Sequence, residues 1–349
     1  MTATGKQDLR AIPDALLEWY DANARDLPWR SPPGDAPPDP YRVWLSEVML
    51  QQTTVAAVKP YFEKFTATWP SVDALAKAQD ADVMAAWAGL GYYSRARNLV
   101  KAARAVAQTG AFPGTEKGLR ALPGVGEYTA AAIAAIAFGQ RAVVVDANVE
   151  RVVARLFAIR QPLPAARMAI RAATDRITPD ERPGDFAQAM MDLGSSLCTV
   201  RAPKCLLCPL AAACEGRVQD PETLPVKAPK KAKPVRRGQA YWIERDDRVW
   251  LVARPGTGML GGMRSLPDDG WNAGGDGSGI APLDAKWTSL GTVSHGFTHF
   301  ALEMDVLAAT AETDPPGQGT WWPVAQLDDA GLPTLFAKAV RLALSDARS

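Results

Sequence analysis

Outside one stretch of 17 residues the chain has no cysteine, and in 349 residues it has only two histidines, His295 and His299. It has no long apolar run: the longest, Ala130 to Phe138, falls far short of the ~20 residues that cross a bilayer, so a membrane-spanning role is excluded. It has no excess of either charge. The formal net charge is +1, so composition carries no nucleic-acid signal and any basic surface must be local. The N-terminus lacks a basic start followed by an apolar core, so a cytosolic, reduced chain is expected. No oligomer interface is evident, and a monomer is expected.

What is present is an apolar fraction of 47%, ample for a core, on a length that suggests about two domains. Residues 8 to about 215 read as helical, in Ala-rich amphipathic stretches broken at Trp69-Pro70-Ser71 and Phe112-Pro113-Gly114. Asp39-Pro40 predicts an N-cap and first turn for a helix through Leu50. Residues 216–238 carry four prolines and the basic run Lys227, Lys230, Lys231, Lys233, Arg236 and Arg237, and read as a semi-rigid linker. Beyond it the period shifts to strands, at Gln239–Arg245, Arg248–Arg254 and Phe300–Val306, before a helix over Leu332–Ala347. The domains are thus 1–215, mostly α; a linker, 216–238; and 239–349, α+β.

The four cysteines are Cys198, Cys205, Cys208 and Cys214, separated by six, two and five residues. Two small disulfides do not suit a reduced chain. Cys205-x-x-Cys208 would serve zinc, but zinc sites usually repeat a short pair, and the outer cysteines here are single. Four thiolates at uneven spacing suit an iron–sulfur cluster better.

Three further features carry chemistry. Leu122-Pro-Gly-Val-Gly-Glu-Tyr-Thr129 precedes an apolar helix. Gly124 and Gly126 allow a tight turn that aims free helix N–H groups at a phosphate, the pattern of a helix-hairpin-helix that grips DNA backbone without reading sequence. Asp146 follows Ala142-Val-Val-Val145 and precedes a helix with Val149, Val152, Val153 and Leu156 on one face. That is a capping position, and capping does not exclude catalysis. Glu47 lies between Val43 and Leu50 on its helix, so its carboxyl is expected to be partly desolvated, with a raised pKa and an acid-competent form. A raised Glu and an ionised Asp in one cleft pair an acid with an electrostatic stabiliser for glycosidic cleavage. A catalytically idle DNA-binding or redox-sensing cluster protein is the contrasting reading, and the presence of both carboxyls argues against it.

With Leu27-Pro-Trp-Arg30, Ser46-Glu-Val-Met-Leu-Gln-Gln-Thr53, Gly89-Leu-Gly-Tyr-Tyr-Ser-Arg95, Val145-Asp-Ala-Asn148 and Met190-Met-Asp-Leu-Gly194, the chain resembles the MutY family of adenine DNA glycosylases, from about Leu16 to its C-terminus. The resemblance implies a multidomain fold: a mostly α helix-hairpin-helix glycosylase with a [4Fe–4S] cluster on the four cysteines, plus a C-terminal Nudix-like domain. It implies a monofunctional base-excision enzyme acting on double-stranded DNA that holds adenine opposite 8-oxoguanine, in the cytoplasm of a bacterium and on its nucleoid. Glu47 would protonate adenine N7, and Asp146 would stabilise the oxocarbenium-like sugar. Tyr128 and Asn148 would line the sugar site, and Trp29, Arg30 and Leu50 would border the adenine pocket. Gln52 and Tyr92 would press into the duplex where adenine is flipped out. Endonuclease III-like enzymes carry a lysine where Tyr128 stands, and this chain has no lysine between Lys117 and Lys204. In the C-terminal domain Phe297-Thr298-His299 stands where the family reads Phe-Ser-His against 8-oxoguanine. The glutamate-rich helix that holds metal in Nudix hydrolases is missing, so pyrophosphate hydrolysis is not expected.

Overall fold

The computed structural model describes residues 9–228, 232–255 and 259–346. They form two compact units divided after residue 229.

The first unit is helical. Helices α1 (Ala11–Asn23), α2 (Pro40–Leu50), α3 (Val55–Thr68), α4 (Val72–Lys77), α5 (Asp80–Ala86) and α6 (Ser94–Thr109) lead into α7 (Glu116–Arg120) and α8 (Glu127–Phe138). Then come α9 (Ala147–Leu156), α10 (Arg167–Ile177) and α11 (Pro183–Ser196). The start of α2 is fixed as the sequence predicts: Pro40 loses no hydrogen bond in the first turn, and Asp39 accepts the Tyr41 N–H at 2.8 Å. Helix α8 is buried on all sides from Thr129 to Ala137, which makes it the central helix of the unit. Its alanines let neighbours approach closely, and α2, α7 and α11 pack on it. On α11 a Cβ at Gly184 would lie 2.6 Å from the Ala135 carbonyl oxygen, and one at Gly194 would lie 2.6 Å from the Asn148 Cβ. No side chain fits at either place.

The stretch 216–238 is not one connector. Short 3-10 turns at Glu215–Val218 and Pro221–Thr223 belong to the helical unit. Arg155, 2% exposed, donates its Nε to the carbonyls of Pro221 and Leu224, and the Leu163 N–H donates to Val226. Proline-rich composition cannot distinguish a solvated linker from a segment whose carbonyls are taken by a buried arginine. At the far end, the first strand begins at Val235 rather than Gln239.

The second unit is a mixed sheet of β1 (Val235–Arg245), β2 (Arg248–Ala253), β3 (Arg264–Ser265), β4 (Thr288–Gly296), β5 (Ala301–Thr310) and β6 (Gly319–Pro323), followed by α12 (Thr334–Asp346). The strand order is β3-β2-β1-β5-β4, with β6 also on β2. Strands β1 and β5 run parallel from Val235↔Ala301 to Glu244↔Thr310. Both sheet faces are buried along β1. Ala240 and Trp242 point into a core with Leu302, Met304 and Phe336, while Tyr241 and Ile243 point into a second cluster with Trp250. Between β3 and β4 there is no helix among the described residues.

The close approach at Gly194 has a measurable consequence. Gly194→Ala should drive α11 and α9 apart and destabilise the protein by about 1–3 kcal/mol, read as a lowered midpoint in urea unfolding. An unchanged midpoint would show that the two helices are not in contact there.

Candidate active site

A cavity of about 510 Å³ opens in the helical unit. The Leu27–Arg30 turn supplies Trp29 and Arg30, the last turns of α2 supply Glu47 and Leu50, and Gln52 follows them. Tyr128 comes from the first turn of α8, and Asp146 and Asn148 from the start of α9. These eight of the residues expected from the sequence share one wall. Arg25, Gln188 and Met191 line it too and escaped the sequence reading. Gln188 lies on α11, about 140 residues from Glu47, and no local pattern marks it.

Glu47 is 7% exposed. Burial raises its pKa from the model-peptide value of 4.5 to about 7; a hydrogen bond from Tyr128 and the charge of Arg30 oppose the rise, and Asp146 adds to it. The Tyr128 phenol is itself pushed well above 10, first by burial and then by Glu47 and Asp146, and so stays a hydrogen-bond donor. Asp146 caps α9 by accepting the Val149 N–H at 2.7 Å with Oδ1, while its Oδ2 accepts from Asn148 Nδ2 at 2.9 Å. The cavity is therefore lined by a carboxyl that keeps its proton to a higher pH than usual and by a second carboxyl held by two N–H donors. That pair can give a proton to a base and face the positive charge left behind.

Two residues in the segments after α2 and before α6 carry strained backbone. Gln52 has φ 59° and Tyr92 has φ 48°, both in the left-handed region that costs a non-glycine residue roughly 1–2 kcal/mol. Arg95, 7% exposed, holds both segments: it donates to the carbonyls of Val48 and Met49 at the end of α2 and of Leu90 and Gly91 before Tyr92. Tyr92 is 57% exposed and does not line the cavity. Gly124 and Gly126 lie in the turn before α8, also off the cavity. Gly124 has φ +77°, and Gly126 has open space where a Cβ would sit, so the N–H groups of the first turn of α8 can be approached. Phe297, Thr298 and His299 belong to the second unit, in the turn between β4 and β5. The Phe297 ring stacks on Phe300 at 4.7 Å and Lys233 Nζ donates to the Phe297 carbonyl at 2.8 Å, while Thr298 and His299 are exposed.

The four cysteines line a second, smaller cavity together with Arg155, Pro203, Lys204 and Pro221. Among the described residues no three His, Cys, Asp or Glu side chains close around a single metal ion. Four thiols lining one cavity are a donor set that suits a metal cluster. Burial, with the neighbouring thiols adding to it, raises the Cys208 thiol to about 11. Arg155 donates to the Cys198 Sγ at 3.3 Å and to the Cys198 and Thr199 carbonyls. Arg151 donates both to the Cys198 carbonyl, at 2.8 Å, and to Asn148 Oδ1, at 2.9 Å.

A buried acid and a helix-capping aspartate line the same cavity, and a glycine turn leads into the central helix. Residues 45–178 match the HhH-GPD superfamily of base excision DNA repair proteins, and residues 239–342 match the NUDIX domain. Adenine DNA glycosylase of Homo sapiens is 34% identical over 96% of this chain and 74% of its own length, and that of Arabidopsis thaliana is 38% identical over 75% and 48%. A solved thermostable thymine-DNA glycosylase superposes with a TM-score of 0.55 at 29% identity, over 62% of this chain and all of its own. The chain belongs to the adenine DNA glycosylase family.

The raised pKa of Glu47 fixes a sign. Its neutral form favours the folded state, a contribution fully present below about 4.5 and lost as pH rises through about 7. Glu47→Gln cannot ionise. It should match the parent's stability near pH 5 and exceed it by about 2–3 kcal/mol near pH 8, measured by chemical unfolding at the two pH values. Equal stability at both would show that Glu47 ionises freely in the fold.

Proposed function

We propose that the protein removes adenine mispaired with 8-oxoguanine or guanine from double-stranded DNA, acting as a monomer on a base flipped into the cavity lined by Glu47, Tyr128 and Asp146. The observation that carries this is the acid–carboxylate pair: Glu47 is buried and raised to about 7, and Asp146 is anchored by two N–H donors in the same cavity. Glu47 gives its proton to adenine N7. The C1′–N9 bond then breaks, with its electron pair leaving on the base, and the Asp146 carboxylate faces the cationic sugar. Water adds to C1′ and loses a proton to the Glu47 carboxylate, which restores the acid.

Tyr128 donates to Glu47 and borders the sugar, and Asn148 holds Asp146 in place. Trp29, Arg30 and Leu50 wall the base. Gln52 and Tyr92, both held in strained backbone, take the place of the extruded nucleotide. The N–H groups beyond Gly124 and Gly126 take phosphate. Among the described residues no lysine lines the cavity, which supports hydrolysis without strand cleavage. Cys198, Cys205, Cys208 and Cys214 would hold a [4Fe–4S] cluster, and Arg201 and Lys204 in the same loop would meet the DNA backbone. In the second unit Thr298 and His299 hydrogen-bond the N7–O8 edge of 8-oxoguanine, whose N7 is a donor where guanine's is an acceptor.

Excision from an A:8-oxoguanine duplex tests this directly. The parent should release adenine, and Glu47→Gln should lose about 10²–10⁴-fold in single-turnover rate while keeping duplex affinity. Near-normal release by the variant would remove Glu47 from the chemistry. Lesion reading has its own test. A chain ending at residue 229 should still release adenine from A:G and A:8-oxoguanine duplexes but lose most of the preference between them, since one such contact is worth roughly 1–3 kcal/mol. A full preference in the shortened chain would assign lesion reading to the helical unit.

A further inference from the structure

Asp192 is among the most deeply buried charges in the helical unit, at 1% exposure, and the chemistry proposed above makes no use of it. It sits on α11, and both its oxygens are taken by arginines from the turn before α2. Arg30 spans them in a two-pronged contact, Nη1 to Oδ2 at 2.7 Å and Nη2 to Oδ1 at 3.0 Å. Arg25 adds its Nε to Oδ1 at 2.6 Å and its backbone N–H to Oδ2 at 3.2 Å. Burial alone would push this carboxyl up, but the hydrogen bonds and charges of Arg30 and Arg25 outweigh it and hold Asp192 below the usual carboxylate range. The Arg30 side chain is 7% exposed. It lies on the cavity wall, close enough to Glu47 for its charge to oppose the neutral form of that acid.

We propose that Asp192 is a positioning residue for base protonation: its carboxylate fixes the Arg30 guanidinium at the cavity wall and screens that charge from Glu47. The inference rests on the reading of Glu47 as the proton donor. Two guanidiniums and one carboxylate meet at this point, so the cluster is cationic even when intact. Without the carboxylate, the full charge of Arg30 falls on the nearest acids in the cavity, Glu47 and Asp146. Arg30 cannot shed that charge, because an arginine stays protonated throughout the accessible pH range. The other groups facing the cluster are Tyr20 from α1, whose buried hydroxyl has no hydrogen-bond partner, and Asp185 on α11. On the Glu47 side they are Tyr128 and Asp146. Tyr20 is pushed up to about 12, first by burial, so it stays neutral and cannot replace the lost anion.

The test is the pH profile of single-turnover adenine excision on an A:8-oxoguanine duplex with the full chain. The parent rate should fall on the alkaline side as the proton donor ionises. In Asp192→Asn that limb should move down by about one pH unit, so that the rate drops about fivefold at pH 7 and about tenfold above pH 8 while duplex affinity holds. Asp192→Glu should return the limb toward the parent's position. The asparagine leaves the buried Arg30 and the part-exposed Arg25 without their carboxylate and is the variant most prone to misfold. Asp192→Asn combined with Arg25→Met removes one charge of each sign, leaves Arg30 as the lone unscreened cation, and should move the limb the same way. A uniform loss of rate with an unmoved limb in a folded variant would overturn the proposal, because a purely structural carboxylate predicts that pattern. A parent that excises no adenine would overturn the glycosylase reading beneath it, so the two failures are told apart.

Discussion

The burial of one carboxyl group organises the helical unit. Glu47 reaches its position because α2 packs on α8, and α8 can occupy the centre because it is alanine and isoleucine on all sides. Taking a carboxyl out of water disfavours its charged form, and each unit of pKa shift is worth about 1.4 kcal/mol. That penalty is tolerated because Tyr128 donates to the group and Arg30 stands near it, and neither cancels the desolvation. The outcome is an acid that holds its proton near neutrality, beside an aspartate whose acceptor atoms are bound by N–H donors. On the proposed mechanism the difference between these two environments is the chemistry.

The same elements serve the thiol cavity. Helix α9 starts with Asp146 and Asn148 at the acid site and continues to Arg151 and Arg155, which bind carbonyls of the cysteine loop. Gly194 brings α11 against Asn148, and the carbonyl of that glycine also accepts from Arg151. Distortion of the cysteine loop therefore has a short, hydrogen-bonded route to the proposed catalytic pair, in place of a long elastic one. The second unit has its own two-sided core and a turn of fixed shape, in which stacked Phe297 and Phe300 leave Thr298 and His299 exposed. An aromatic anchor under exposed polar residues is a suitable form for reading an edge of a base.

Local signals in the sequence were sound guides. Asp39-Pro40 and Asp146 cap helices as their residue types dictate, and the period-two segments are strands. Glu47 was legible because an acidic residue on an apolar helical face has few ways to remain solvated. Contacts made across the chain were not legible. The clamp of Arg25 and Arg30 on Asp192 joins residues more than 160 positions apart, and an aspartate in Met190–Gly194 looks like any other until α11 is laid beside the Leu27–Arg30 turn. Gln188 was hidden for the same reason. The proline-rich segment misled in the opposite direction, since its carbonyls are satisfied by Arg155, a residue that single-sequence reasoning would place on a surface.

The central claim is that burial lifts Glu47 far enough for it to keep a substantial share of its protons near pH 7. The most direct measurement is the ionisation of its side-chain carboxyl, followed by carbon-13 NMR on glutamate-labelled protein, with the resonance assigned by its loss in Glu47→Gln. The account predicts a titration midpoint near 7, whereas a midpoint near 4.5, the value of an unburied glutamate, would contradict it.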